Sequence, residues 1–221
     1  VCGAIARIPL LILAFAAPVF AAANEAFLLR NIDPVDSSNP RLFARIGGEV
    51  VFFANDGTNG NETWLTDGTP GGTFMLKNIN GAESGTAFTL TSRPTLVGDL
   101  YFFPGIDEAH GRELWVTDGT TAGTHLVKDI NPAGDSYPSL MKNVDDVLYF
   151  QADDGIHGVE LWRSDGAEAG TYMIKDINPT GDSTPSQFAR YGDWIYFSAN
   201  DGANGRELWR TDGTEANTTF E

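Results

Sequence analysis

Trp64, Trp115, Trp162 and Trp209 stand in matching contexts, ETWLTDGT, ELWVTDGT, ELWRSDGA and ELWRTDGT, at spacings of 51, 47 and 47 residues. A repeat of this length constrains the fold more than any other feature of the chain. Each period is one supersecondary unit that cannot bury its faces alone and must stack on its neighbours. Within a period four strand signals follow one another: RLFARIG, EVVFFAND, ETWLTDG and TFMLKNI in the first. Short runs bounded by Gly and Asp turns read as an antiparallel meander. The second run is the most apolar (VLYF at 147–150, WIYF at 194–197), which suits a strand covered on both faces. The fourth carries Lys77, Lys128 or Lys175, which suits an exposed edge.

The expected fold is therefore all-β, a β-propeller-like array of about four four-stranded blades with a period of about 47 residues. The blades fall at about 38–80, 92–131, 138–178 and 185–221, within a repeat domain over 24–221. FLLRNIDP at 27–34 matches HLVKDINP at 125–132. Residues 26–34 thus read as a leading outer strand that completes the last blade and closes a four-blade ring. The other arrangement is a stretch of a longer propeller, favoured by the stop at TEANTTFE where a fourth strand is due.

Residues 8–20, IPLLILAFAAPVF, are almost wholly apolar, with Arg7 before them and Ala21-Ala22-Ala23 after. This is the layout of a secretory signal peptide, expected over 1–23, with an uncleaved anchor as the alternative. The run is short for a membrane span and Pro9 and Pro18 interrupt it, so no span is expected after cleavage. The mature chain is expected to be secreted or at the cell surface. Cys2 is the only cysteine and leaves with the signal, taking with it disulfides, thiol nucleophiles and thiolate metal sites. With 14 Lys+Arg against 30 Asp+Glu, a formal charge of -16, the chain lacks the basic surface that nucleic acid requires.

The repeats resemble the ELWxxDGT repeat family of secreted and surface bacterial proteins. Glu113-Leu114-Trp115-Val116-Thr117-Asp118-Gly119-Thr120, Ala122-Gly123-Thr124 and Lys128-Asp129-Ile130-Asn131-Pro132 carry the resemblance. The first copy departs at Thr63 and Gly71, the third at Ala167. The resemblance implies an exported propeller-like repeat protein of a bacterium, secreted, at the cell surface or periplasmic, and no known reaction.

Each group of candidate residues has two readings. Trp64, Trp115, Trp162 and Trp209 are ligand platforms or a repeated structural core, and recurrence once per blade favours core. Asp56, Asp154 and Asp201 precede a Gly at equivalent places, and Glu62, Glu113, Glu160 and Glu207 follow before each Trp motif. Asp56, Asp154, Asp201, Glu62, Glu160 and Glu207 are the candidate ligands for Ca²⁺, which prefers such oxygens. Against this, D-G-x-x-G-x-E matches no established loop, and Asp-Gly makes turns unaided. Asp67, Asp118, Asp165 and Asp212 read as turn-locking residues. His110 and His157 occupy the place of Asn59 and Asn204, all compatible with left-handed turn backbone. The second loop, YFFPGIDEAHGRE, reads as one residue longer than its counterparts and places Asp107, Glu108 and His110 close together. No nucleophile elbow, metal-ligand His spacing or phosphate loop is present.

The function expected from these residues is an exported, non-catalytic repeat scaffold for binding or display at the cell surface, contacting protein or glycan partners. A Ca²⁺-stabilised adhesive or structural module is the alternative. A propeller hydrolase built on the irregular second loop comes third.

Overall fold

The computed structural model describes residues 26–86 and 88–220. The leader expected at 1–23 lies outside the described residues. Sixteen strands and no helix are found among them, in four antiparallel sheets of four. No described helix is long and apolar enough to cross a membrane.

The first sheet holds β1 (Arg41–Ile46), β2 (Glu49–Asn55), β3 (Asn61–Thr66) and β4 (Phe74–Lys77). The second holds β5 (Thr95–Val97), β6 (Leu100–Asp107), β7 (Gly111–Thr117) and β8 (His125–Lys128). The third holds β9 (Ser139–Val144), β10 (Val147–Asp153), β11 (Val159–Ser164) and β12 (Tyr172–Lys175). The fourth holds β13 (Ser186–Tyr191), β14 (Trp194–Asn200), β15 (Arg206–Thr211) and β16 (Thr219–Phe220). Within each sheet spatial order follows chain order, so each is a meander with the second and third strands central. The apolar run sits where both faces are covered, and the Lys-bearing strand is an edge.

The E-L-W run is explained by the period-two alternation of strand side chains. Trp115 packs back against Phe53 and Leu65 of the first sheet, while Leu114 packs forward against Leu148 and Phe150 of the third. Trp162 packs back onto the second sheet's core, and Leu161 forward onto Phe197 and Trp209 of the fourth. Each Trp faces an aromatic directly across the ladder: Phe52, Phe103, Phe150 and Phe197 in turn. Trp64 packs with Phe52 and Ile32. One apolar layer thus fills each junction between consecutive sheets.

Two expectations need correction. The closed four-blade ring is not what the described residues form: the sheets are open, and no buried cluster joins the fourth to the first. Nor do residues 26–34 complete the last blade. They belong to no strand, and the fourth sheet has its own β16, paired through Trp209↔Phe220 and Arg210↔Thr219. The physical reason is that the likeness to HLVKDINP lies in its second half, the link between sheets. Residues 30–38 take up, against the first sheet, the place that residues 128–136 take against the third. Asn55 N–H donates to Ser38 O (2.9 Å) as Asp153 N–H does to Ser136 O (2.9 Å) and Asn200 N–H to Ser183 O (3.0 Å).

Candidate functional site

The repeat-equivalent carboxylates are the richest chemistry in the chain, and each set has a definite occupation. In the T-D-G-T turn, Asp118 Oδ1 accepts from Thr120 N–H (2.8 Å) and Thr120 Oγ1 (2.7 Å). Thr117 and Thr124 hydroxyls meet at 2.7 Å across the turn, and Thr124 donates on to Thr120 O. Asp67 and Asp212 repeat this pattern, and Asp165 keeps the backbone half of it where Ala167 replaces Thr. These bonds hold the carboxyls of Asp67, Asp118 and Asp212 below the usual carboxylate range, the threonine hydroxyl contributing most.

The loop between the second and third strands is closed by its own Asp. Asp154 Oδ1 accepts from Ile156 N–H (2.9 Å) and His157 N–H (2.8 Å), and Oδ2 meets His157 Nδ1 at 2.7 Å. Asp56 and Asp201 do the same with Asn59 and Asn204 as side-chain partners. The carboxyls of Asp56, Asp154 and Asp201 lie below the usual range: the hydrogen bonds outweigh desolvation at Asp56 and Asp154, and dominate at Asp201. His110 and His157 are pushed up by their bonds to Asp107 and Asp154.

The second loop is not longer than the others. In the ladder Phe103 pairs with Trp115, as Phe150 pairs with Trp162, so the extra residue comes from aligning the wrong Tyr-Phe. Asp107 then occupies the Asp56, Asp154 and Asp201 place and caps the loop through Ala109 N–H (3.0 Å) and His110 N–H (2.6 Å). Every copy has its Asp eight residues before its Trp, a count that reveals the residue from the sequence. The Asp107–His110 contact is therefore the counterpart of Asp154–His157 and marks no break in the symmetry.

Glu62, Glu113 and Glu160 are fully buried. Each lies opposite a small residue, Ala54, Gly105 or Ala152, which leaves room for the following link to fold over the carboxyl. Glu160 receives Ile177 N–H (3.0 Å), Asn178 N–H (3.3 Å) and Ser183 N–H (3.2 Å), and Ser183 Oγ lies 2.6 Å from Oε2. Glu113 repeats this with Ile130, Asn131 and Ser136. Glu62 holds Ile79 and Gly85. Burial pushes all three carboxyls up to about 7, against the pull of these donors. Ser183 Oγ also lies 3.3 Å from Val159 O, which ties the link to the strand that carries Glu160. The conserved geometry of this Glu and link is what sequence reading missed. Glu207, the fourth of the set, is exposed.

These pKa values set the pH dependence. A carboxyl whose folded pKa lies above its unfolded value binds protons more tightly when folded. Its contribution is complete below about 4.5 and is lost as pH rises through about 7. The lowered Asp residues act oppositely and lose their contribution as pH falls below the ordinary Asp range. The urea midpoint is expected to be higher at pH 5 than at pH 8, with up to about 3 kcal/mol at stake per buried Glu. A midpoint that rises from pH 5 to pH 8 contradicts the assignment.

The structure does not gather the proposed Ca²⁺ ligands into a shell. Asp56, Asp154 and Asp201 are turned into their own loops, and Glu62 and Glu160 into the links, away from solvent. Among the described residues no group of three or more His, Cys, Asp or Glu is placed to hold a metal ion. Trp64, Trp115, Trp162 and Trp209 are each 5 % exposed, and their rings present no open face.

No family model and no curated protein matches the chain. Similar solved structures include a puromycin hydrolase mutant, 14% identical over 82% of this chain and 28% of that one, with a TM-score of 0.48. The computationally designed Ika4 protein is 15% identical over 84% of this chain and 98% of its own, with a TM-score of 0.44. The endo-arabinase from Bacteroides thetaiotaomicron VPI-5482 is 13% identical over 89% and 83%, with a TM-score of 0.33. The chain spans just over a quarter of the hydrolase chain's length. The fold is read from the chain's own four sheets.

Proposed function

We propose that this chain is an exported, non-catalytic repeat scaffold that binds or displays at the cell surface, contacting protein or glycan partners. The observation that carries the reading is the division between interior and rim. The Trp, the loop Asp, the Asp-Gly turn and the Thr that closes it (Thr73, Thr124, Thr171 or Thr218) recur in all four copies, and each is engaged in holding its blade. The exposed positions differ between copies. The loop tip is Thr58, Ala109, Ile156 or Ala203, and the first residue of the outer strand is Phe74, His125, Tyr172 or Thr219. A fixed frame with a varied, solvent-facing rim is the arrangement by which loops on rigid scaffolds acquire specificity. The apolar leader and the resemblance to the ELWxxDGT repeats support export.

The test is incubation of the chain with a panel of surface oligosaccharides and polypeptides. Saturable retention without cleavage is expected, weakened by Tyr172→Ala or Ile156→Ser at a stability cost within about 0.5 kcal/mol, as for other surface changes. Turnover of an oligosaccharide, or retention indifferent to both substitutions, overturns the reading.

A further inference from the structure

The repeat changes length at one internal junction. The first Trp spacing is 51 residues where the others are 47, so the junction between the first and second sheets carries four residues more. The hairpin registers place them. Val97 pairs with Leu100 as Ile46 pairs with Glu49 and Val144 with Val147, and from there to the Trp the copies match residue for residue. On the other side Gly85 binds Glu62 as Ser136 binds Glu113. The extra residues therefore fall between Gly85 and Val97, in the stretch that leads into β5.

That stretch walls a cleft between the two sheets. Phe88 turns inward and meets Phe53 edge-on, with ring centroids 4.5 Å apart. Thr89 and Ser92 close a turn on each other: Thr89 N–H donates to Ser92 Oγ (2.9 Å) and Ser92 N–H to Thr89 Oγ1 (3.1 Å). Thr91 O accepts from Leu140 N–H (2.7 Å), which ties the stretch to the third sheet. The cleft encloses about 470 Å³ and is lined by Arg41, Leu42, Phe88, Thr89, Leu90 and Arg93. Small-ligand sites span roughly 300–1,000 Å³. Its two cations are peculiar to this junction. Counting back from the hairpins, Arg41 stands where the third and fourth sheets have Ser139 and Ser186, and Arg93 where they have Leu140 and Gln187. The Arg41 guanidinium lies 5.7 Å from the Phe88 ring centroid, a contact that holds it at the cleft. Among the described residues neither Arg41 nor Arg93 is paired with a carboxylate, in a chain with a formal charge of -16.

We infer that this cleft binds an acidic saccharide, with its carboxylate or sulfate between Arg41 and Arg93 and the C–H face of its ring on Leu42 and Leu90. The guanidinium is a planar fork that matches an oxyanion through paired hydrogen bonds. The apolar side chains beside the two forks call for a ligand with an apolar face as well as a charge, and a bare inorganic anion would leave them uncovered. Leu90, 85% exposed, is the side chain that such a ring would cover. The inference gives the scaffold reading a ligand class and a place, and rests on it: the saccharide is held and not cleaved.

Calorimetric titration of the full chain at low ionic strength, where exposed charges are least screened, tests this. The probes are trigalacturonate, a 6-sulfated galactose disaccharide, neutral galactotriose, tri-glutamate and inorganic phosphate. Saturable binding of trigalacturonate or of the sulfated sugar is expected, at least about tenfold tighter than that of the other three, and whichever binds tells carboxylate from sulfate. Arg41→Gln and Arg93→Gln should each weaken it at least about tenfold. Leu90→Asp should do the same by setting an anion in the cleft from an exposed position, and unchanged melts of the three variants show that the frame is intact. Binding of neither acidic sugar overturns the inference. So does equal binding of galactotriose, tri-glutamate or phosphate, or an affinity indifferent to all three substitutions. Those outcomes leave the scaffold reading standing while surface oligosaccharides or polypeptides are still retained through Tyr172 and Ile156; loss of that retention overturns the scaffold reading itself.

Discussion

Glu160→Ala is expected to cost about 3–5 kcal/mol at pH 6, the range for breaking a buried polar network. The substitution removes the acceptor of three backbone N–H groups and faces the Ser183 hydroxyl. These donors are sealed between sheets, where an unmet N–H costs about 1–3 kcal/mol. The link 175–183 then has nothing to fold over, and the third and fourth sheets lose their register. Glu160→Gln keeps the volume and one acceptor, so it is expected to lie between wild type and Ala. The variant also lacks a group with a pKa of about 7, so the gap between it and wild type narrows as pH rises from 6 to 8. Urea titrations of the three proteins at both pH values check the order and the narrowing. A Glu160→Ala protein as stable as wild type removes Glu160 from the frame.

Trp162→Ala is expected to cost about 3–5 kcal/mol, the usual effect of emptying a large aromatic site. The indole packs with Phe102, Leu114 and Phe150 in the layer between the second and third sheets. For a chain of this size that corresponds to a melting point lower by roughly 10 °C. The ligand-platform reading makes the opposite forecast: a near-neutral melt accompanied by lost retention of a partner. Calorimetry of the variant, with the retention assay beside it, separates the two.

The sheets were legible because hydrophobic alternation and Asp-Gly punctuation are local signals. Trp spacing alone placed all four units, and the Lys of β4, β8 and β12 marked their edges. Two things were not legible for one reason, that pairing is a matter of register. Tyr101-Phe102 looks like the counterpart of Tyr149-Phe150, yet the ladder aligns Phe103 with Phe150, and the apparent irregularity of the second loop disappears. FLLRNIDP looks like a strand, yet a strand needs a neighbour, and this segment lies where a link lies. The buried Glu escaped for a different reason. A carboxylate near Asp-Gly loops reads as a turn partner or an ion ligand, whereas its partners are backbone groups 17 to 23 residues away. The recurrence of Glu-Leu-Trp with Ile-Asn-Pro at a fixed interval is the signal that was present.

The repeated carboxylates are occupied by the fold itself, and this occupation is open to a direct test. A thermal melt of the chain in chelator and then in millimolar Ca²⁺ addresses it most directly. The loop Asp residues already accept two backbone N–H groups each, and the buried Glu residues hold the links, so the two melts are expected to coincide. Ca²⁺ held at about 100 times its dissociation constant would add roughly 2.7 kcal/mol. That corresponds to a rise of roughly 5–10 °C for a chain of this size. A rise of that order would show that the acidic loops hold an ion and would replace the self-capped frame with a metal-dependent one.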